Sequence, residues 1–496
     1  MKIPHSYQLF TAKGSRKLDE RTISEFGIDG FTLMEIAGTR AADFILQQVT
    51  TDTHGLFICG KGNNAGDALV VARILREHGI KSSVLFVSGM EGLSKDCSKN
   101  LKLLQKLDHD IHFYSSPDEL PMNASFDFMI DGMLGTGLNS EVRSPYKKVI
   151  EWVNDQDFPV FAMDIPTGLC SDSGKVLGMA IKADYTLAFG TLKQGFFMNS
   201  GYEYCGEIIF CELPFPSSFK NSDTFLIDVE WVDRLRTSSP QRKHKYDGGV
   251  LYVIAGSEGL TGAAVLATKS AWSTGLGGVV LITPKGLLEI YEKNLVQIIK
   301  KPVGDSTDSY FSSNHLKDVT SLVSEKQGSV LIGPGLGRNP ETVSFVRYFL
   351  SEFSGKVVID ADALFALSEE SLLQKPKYAE WILTPHPGEL KTLTGIDSDD
   401  RLTIARNLAS QLDATILSKG LPSVIVSENQ TLVTGYDTRI FSRAGFGDVL
   451  AGKTAGFWLQ EKKPELAAVF ALLDGKEKAD HHILSSNKTL EPLDLI

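Results

Sequence analysis

The sequence predicts an α/β protein of two domains, each a parallel sheet wrapped by helices, and three observations carry that prediction. Apolar runs of strand length alternate with helical patterns along most of the chain. The alternation lapses once, between about residues 214 and 249. At 496 residues, the chain is also longer than one ordinary core accommodates.

Strands alternating with helices need crossover connections, which place helices on both faces of a parallel sheet. In the first half the expected strands lie at 56–59, 84–87, 126–130, 160–163, 185–189 and 208–211. The run from Leu69 to Leu75 puts its apolar residues on one helical face. In the second half the expected strands are 250–254, 279–282, 330–332, 357–359, 382–383, 415–417 and 424–426. The lapse holds Pro-Phe-Pro, Ser-Ser and mixed charge, with an apolar island at 225–232, and reads as a partly packed linker. The expected domains are therefore 1–225, a Rossmann-like doubly wound sheet, and 226–496. The halves share alternation but no motifs, which argues for fusion rather than duplication.

Composition limits the function. With 42% hydrophobic and 22% charged residues, the chain is that of a globular protein. A net charge of −11 argues against a nucleic-acid partner, which needs clustered Lys and Arg. The longest basic run, Arg242-Lys243-His244-Lys245, adjoins Asp247 and reads as solvated linker. Five cysteines (Cys59, Cys97, Cys170, Cys205, Cys211) are scattered without a C-x-x-C pair, which fits a reducing compartment and no disulfide or zinc framework. Cys170 follows a loop motif, yet a bland thiol is the expectation there. No N-terminal apolar signal core and no uncharged apolar run of ~20 residues is present, so a cytoplasmic protein without membrane contact is expected.

Three strand ends in the first half carry polar loops. Gly60-Lys61-Gly62-Asn63-Asn64-Ala65-Gly66-Asp67 joins a strand to a helix; glycines admit a ligand to the backbone, and the helix start favours negative charge. The same residues would also serve as a polar turn capping that helix. Asp131-Gly132-Met133-Leu134-Gly135-Thr136-Gly137-Leu138 follows the strand ending at Ile130, and Asp164-Ile165-Pro166-Thr167-Gly168 follows the one ending at Met163. Strand ends that converge on one crevice would gather oxygens able to hold a hard cation or supply a general base.

In the second half, Arg443-Ala444-Gly445-Phe446-Gly447-Asp448 precedes a strong helical pattern. Backbone N–H groups there would stabilise charge on a transferring phosphoryl group, with Asp448 in the first turn to take a hydroxyl proton. A capped helix would again look similar. Gly333-Pro334-Gly335-Leu336-Gly337 reads as a loop allowing backbone approach to a ligand. Asp360-Ala361-Asp362 and Thr384-Pro385-His386-Pro387-Gly388-Glu389 also follow strands, and His386 is held rigidly between prolines. Lys419-Gly420, after the strand at 415–417, would reach a nucleotide phosphate or form a solvated turn.

Asn63-Asn64-x-Gly66-Asp67, Asp131-x-x-x-Gly135-Thr136-Gly137 and Asp164-Ile165-Pro166-Thr167-Gly168 together resemble the NAD(P)H-hydrate epimerase family over about residues 1–220. The segment Asp29-Gly30-x-x-Leu33-Met34-Glu35-x-Ala37-Gly38 fits that family's N-terminal helix. The resemblance implies hydrate binding by Asn63, Asn64, Ala65, Gly66 and Asp67 and by Gly135, Thr136, Gly137, Leu138, Asn139, Ser140 and Glu141. It also implies a potassium ion on Asn64, Asp131 and Thr167 and contact of Asp164 with the substrate near C6, where Asp164 is expected to act as the acid/base. Ala65 and Ala68 stand where the family has glycine, and Ile36 where it has Asn; the methyl of Ala65 is expected to narrow the approach to the ligand. Thr167 replaces Ser and keeps the hydroxyl.

From about residue 230 onward, the second-half motifs, with Gly256-Ser257, Gly262-Ala263-Ala264 and His244-Lys245, resemble the ribokinase-like ADP-dependent NAD(P)H-hydrate dehydratases. That resemblance implies hydrate contacts from Ala263, Gly335, His386 and Asp448. ADP would be bound by Lys419, Gly420, Leu421, Pro422 and Ser423 and by Gly445, Phe446 and Gly447. Mg²⁺ for the dehydratase half and a homo-oligomer are implied as well. Phe446 stands where the family has a small or polar residue, and its bulk is expected to crowd the β-phosphate. The competing expectation is an ATP-dependent small-molecule kinase of the thiazole or pyridoxal type, fused to a nucleotide-binding scaffold domain.

Overall fold

The computed structural model describes residues 8–107, 111–119, 125–227, 249–324, 328–368, 375–398, 400–461, 463–486 and 488–496. The chain forms two compact units, Met1–Leu226 and Ile227–Ile496. The basic run 242–245 and most of the linker lie outside the described residues. Among the described residues, no helix is long and apolar enough to cross a membrane.

The first unit holds a seven-stranded sheet: β1 (His54–Cys59), β2 (Lys81–Phe86), β3 (His112–Tyr114), β4 (Phe128–Gly132), β5 (Val160–Met163), β6 (Tyr185–Phe189) and β7 (Glu207–Cys211). Its order is β3-β2-β1-β4-β5-β6-β7, with every pairing parallel. This is the doubly wound arrangement with a switch point between β1 and β4, where ligands bind beyond the carboxyl ends of the strands. Side chains alternate across the sheet: Phe57 and Phe128 pack into one apolar cluster, Leu56, Ile58 and Met129 into the other. Four helices follow in order, α1 (Ala12–Arg21), α2 (Gly30–Ile45), α3 (Asn63–Glu77) and α4 (Lys95–Leu104). Thr11, Asp29 and Ser94 cap α1, α2 and α4 through their side chains.

The second unit holds β8 (Val250–Ile254), β9 (Val279–Pro284), β10 (Ile299–Val303), β11 (Gly328–Ile332), β12 (Lys356–Ile359), β13 (Glu380–Leu383), β14 (Thr415–Ser418), β15 (Val424–Val426) and β16 (Thr431–Thr434). Their order is β16-β15-β14-β13-β12-β11-β8-β9-β10. From β14 to β10 all pairings are parallel, whereas β14-β15 and β15-β16 are antiparallel. Helices α5 (Thr261–Ser273), α6 (Pro387–Thr394), α7 (Phe446–Gln460) and α8 (Pro464–Ser485) matter for the site. Close approach of α5 to α7 needs Gly452, where a Cβ would lie 2.0 Å from Ser270 Oγ and 2.2 Å from the Ala267 carbonyl.

Every strand expected from the sequence is present, with ends displaced by no more than three residues. Of the sixteen strands numbered here, three were not legible. β3 and β10 are edge strands with exposed residues, and β10 carries Lys300, Lys301 and Pro302, which shield an edge while erasing its apolar signature. β16 is four residues long and half threonine.

Candidate functional site

Both glycine loops begin helices, so capping was the competing explanation for their polar residues. The cap geometry separates the two. The N-caps of α3 and α7 are Gly62 and Gly445, and among the described residues no side chain caps either one. Gly445 is left-handed at φ +93°. First-turn N–H groups left without side-chain partners are suited to an anion.

In the first unit, a cleft of about 880 Å³ opens beyond the ends of β1, β4, β5 and β6. Asn63, Asn64 and Asp67 line it, with Gly135, Thr136, Gly137, Leu138 and Asn139 from the loop after β4, and Asp164 from the loop after β5. Ala65, Gly66, Ser140 and Glu141 do not. Ala65 is fully buried in the core, and a Cβ on Gly66 would lie 2.5 Å from Met34 Sδ, so that glycine serves helix packing. Ser140 and Glu141 are exposed just beyond the cleft. The expected narrowing by Ala65 is thus corrected: its methyl points into the core. Ala68 is equally buried, and Ile36 lies on a separate surface groove of α2.

Asp164 is held in the left-handed region at φ +60°, a conformation that costs a non-glycine residue roughly 1–3 kcal/mol. Its N–H donates to Leu187 O (2.9 Å), and its Oδ1 accepts from Phe189 N–H (3.0 Å) and from the buried ammonium of Lys193. Lys193 also lines the cleft, as do Ser15, Arg16 and Asp19 of α1. Sequence reasoning missed all four. Lys193 follows β6, the next strand end in the same row, and that position was the available signal. Asp67 is pushed well above the usual carboxylate range, first by burial and then by Asp164 and Asp19. Asp19 rises to about 6 through burial and Asp164.

Asp131 is fully buried at the end of β4. Its Oδ2 accepts from Thr167 N–H and its Oδ1 from Thr167 Oγ1–H, both at 2.7 Å, while Met133 N–H reaches Oδ1 at 3.2 Å. Burial lifts Asp131 to about 6 against those hydrogen bonds. Leu134 N–H donates to Thr167 Oγ1 (2.9 Å), and the Asn64 amide lies beside Gly135. The three residues expected to hold a cation therefore meet at one loop. Asn64 Nδ2 is buried without a hydrogen-bond partner among the described residues.

In the second unit, a cavity of about 530 Å³ is lined by Lys419, Gly420, Leu421, Ser423, Gly445, Phe446, Gly447, Asp448 and His386. Pro422 does not line it. Lys419 Nζ donates to Asp360 Oδ1 (2.8 Å) and lies 4.0 Å from Glu389. Burial alone would lower Lys419, but Asp360 and Glu389 outweigh it and leave the ammonium favoured. Asp448 has no salt bridge among the described residues; burial, then Asp360, pushes it up to about 7. A carboxyl poised there can accept a proton at neutral pH.

His386 has two tasks. Its Nδ1 accepts from Gly388 N–H (3.0 Å) and Glu389 N–H (3.3 Å), capping α6, while Glu389 accepts from His386 N–H (2.8 Å). With Nδ1 occupied as an acceptor, the ring proton sits on Nε2, and the half-exposed ring borders the cavity. Ala263 and Gly335 do not line this cavity but lie against each other, with Gly335 O accepting from Ser257 Oγ–H (2.9 Å). Gly333, at φ +132°, brings the backbone against the Asp360 carbonyl, 1.8 Å from where a Cβ would sit. The close approach expected for a ligand is there made by another strand end.

The crowding expected from Phe446 is also corrected. Its ring is 3% exposed and packs with Val449, Leu490 and Leu495, edge-on to Phe441 at 5.7 Å.

The profile described as YjeF-related protein N-terminus matches residues 30–195, and the one described as NAD(P)H-hydrate dehydratase matches residues 251–495. The bifunctional NAD(P)H-hydrate repair enzyme of Salinibacter ruber is 33% identical over 502 residues, covering 96% of this chain and 92% of that protein. The Moorella thermoacetica enzyme of the same description is 31% identical, covering 93% and 89%. Among solved structures, the Bacillus subtilis ADP/ATP-dependent NAD(P)H-hydrate dehydratase co-crystallized with ATP/Mg²⁺ is 25% identical, covering 53% of this chain and 93% of that chain at a TM-score of 0.46. With two glycine-loop cavities, each holding an aspartate, and with relatives matched over nearly the full length, the chain belongs to the family of bifunctional NAD(P)H-hydrate repair enzymes.

Proposed function

We propose that this chain returns hydrated NADH or NADPH to use, the first unit interconverting the R and S hydrates and the second dehydrating the S form at the expense of ADP. The observation that carries the reading is Asp448: a carboxyl with no salt bridge among the described residues, raised to about 7, in the first turn of a helix whose N-cap is a glycine. Hydroxide is a poor leaving group and phosphate a good one. In the proposed route Asp448 takes the proton of the C6 hydroxyl, whose oxygen attacks the β-phosphorus of ADP and expels AMP. The C6–O bond then breaks, assisted by the ring nitrogen's lone pair. That cleavage releases phosphate, and loss of the C5 proton then restores the dihydropyridine. The uncapped N–H groups of α7 and the ammonium of Lys419 would meet the phosphates.

In the first unit Asp164 serves as the acid/base: it takes the C6 hydroxyl proton as the N1–C6 bond opens to an aldehyde and N1 gains a proton, and it returns the proton to oxygen as N1 closes onto either face of C6. Asn64, Asp131 and Thr167 offer an amide, a carboxylate and a hydroxyl, a hard-oxygen set that fits potassium. Rotating the unpartnered Asn64 amide would turn its oxygen to the same point. A cation there would offset the buried charge of Asp131 and attract the nucleotide's phosphates. A magnesium ion for the second unit would be carried in on the diphosphate of ADP.

The test is recovery of absorbance at 340 nm when acid-treated NADH is mixed with the protein, ADP, potassium and magnesium. Stoichiometric AMP and phosphate are expected. Accumulation of a phosphorylated small molecule without that recovery would overturn the reading in favour of a kinase.

A further inference from the structure

We infer that Lys193 is a positioning residue of the first unit: a buried ammonium that binds Oδ1 of Asp164 and thereby presents Oδ2 to the cleft as the working oxygen. The inference rests on the assignment of Asp164 to epimerisation. Lys193 is 1% exposed although it borders the cleft. Its ammonium has three protons and three acceptors: Asp164 Oδ1, Thr191 O at 3.0 Å and Phe189 O at 3.3 Å. Its backbone is held as well, because Leu192 and Lys193 pair in parallel with Leu9 and Phe10. The cation has no freedom to follow a substrate; it is fixed to the site.

The carboxylate it holds is fixed from the other side. Phe189 N–H also donates to Oδ1, so both protein donors converge on one oxygen. The strained backbone of Asp164 aims the side chain at that pair of donors rather than at solvent. Asp19 from α1 and Asp67 from α3 line the same cleft. Without Lys193, the four carboxylates that line the cleft, Asp19, Asp67, Asp96 and Asp164, would be offset there only by Arg16 and Lys61. A buried ion pair of this kind adds little net stability compared with an apolar replacement, so its principal effect falls on the carboxylate.

The test is interconversion of the R and S hydrates, followed by chromatographic separation of the epimers. Lys193→Met is expected to lower kcat by about 10²-fold while leaving KM within about threefold. The acidic limb of its pH–rate profile should move to higher pH, because a carboxylate that loses a neighbouring cation holds its proton more tightly. Lys193→Arg, which keeps the charge, should exceed Lys193→Met by at least about tenfold in kcat. Dehydration of purified S hydrate by the same variants reports that the preparation is otherwise intact. Equal losses in the Met and Arg variants, an unmoved pH limb, or wild-type epimerisation by Lys193→Met would each overturn the inference. Failure of the wild-type protein to epimerise would instead overturn the role given to Asp164.

Discussion

Asp164 and Asp448 are both aspartates set at polar loops of parallel sheets, yet the protein treats them oppositely. Asp164 sits outside any helix, in a strained left-handed conformation, bound to the buried Lys193. Asp448 sits in the first turn of α7 with no salt bridge among the described residues, its carboxyl raised to about 7. The second unit also has a lysine at its cavity, the partly buried Lys419, but spends it on Asp360. One site holds its carboxylate in place with a cation, whereas the other uses burial to make it basic enough to take a proton at neutral pH.

The most direct way to break this comparison is to remove each carboxylate. Asp448→Asn should lower ADP-dependent recovery at 340 nm by about 10²- to 10⁴-fold and leave epimerisation unchanged. Asp164→Asn should do the reverse, and Asn tolerates the left-handed backbone that Asp164 adopts. Loss of both activities in either single variant would show that the sites do not work independently.

A second effect concerns packing beneath the Asp448 loop. Phe446 is buried against Val449, Leu490 and Leu495, so Phe446→Ala should destabilise the second unit by about 3 kcal/mol, read as a shift in the denaturant midpoint. If Phe446 instead crowded the phosphate, the same variant would bind ADP more tightly at unchanged stability.

The raised carboxyl sharpens the contrast through pH. Dehydration should rise about tenfold per pH unit below 7 and level off above it, as Asp448 loses its proton. Stability runs the other way. Folding lifts Asp448 from 3.8 to about 7, so its contribution is full below about 3.8 and is lost as pH rises toward 7. Asp448→Asn should therefore melt above wild type at pH 8, with the gap closing as pH falls toward 4. A smaller effect belongs to the first unit. Ala65→Gly should cost about 0.5–1 kcal/mol in melting experiments without changing KM for the hydrate, because Ala65 lies inside α3 and away from the cleft.

Much of this arrangement was legible in the sequence where apolar runs, glycine loops and strand-end aspartates coincide. The central strands β1, β4, β5, β8 and β11 are buried on both faces, and burial forces continuous apolar runs that a reader can see. Edge strands β3 and β10 escape because an exposed edge needs polar residues. The loops bearing Asn64, Asp131 and Thr167 were read as converging because they end successive strands, and Asn64 and Thr167 both lie against the loop after β4. Lys193, Ser15, Arg16 and Asp19 were not read, since their place in the cleft depends on the loop after β6 and on how α1 folds over the strand ends.

By itself, the sequence determined the two α/β units, the order of their strands along the chain, and the aspartate at each candidate site. These follow from local periodicity and from which residue types can end a strand. Only the tertiary structure decided which way side chains turn and which charges meet. It sent Ala65 and Phe446 into the core, set His386 to cap α6 while bordering the cavity, and gave Lys193 to Asp164 but Lys419 to Asp360. Burial and charge pairing depend on residues brought together from distant parts of the chain, and no local pattern contains that information.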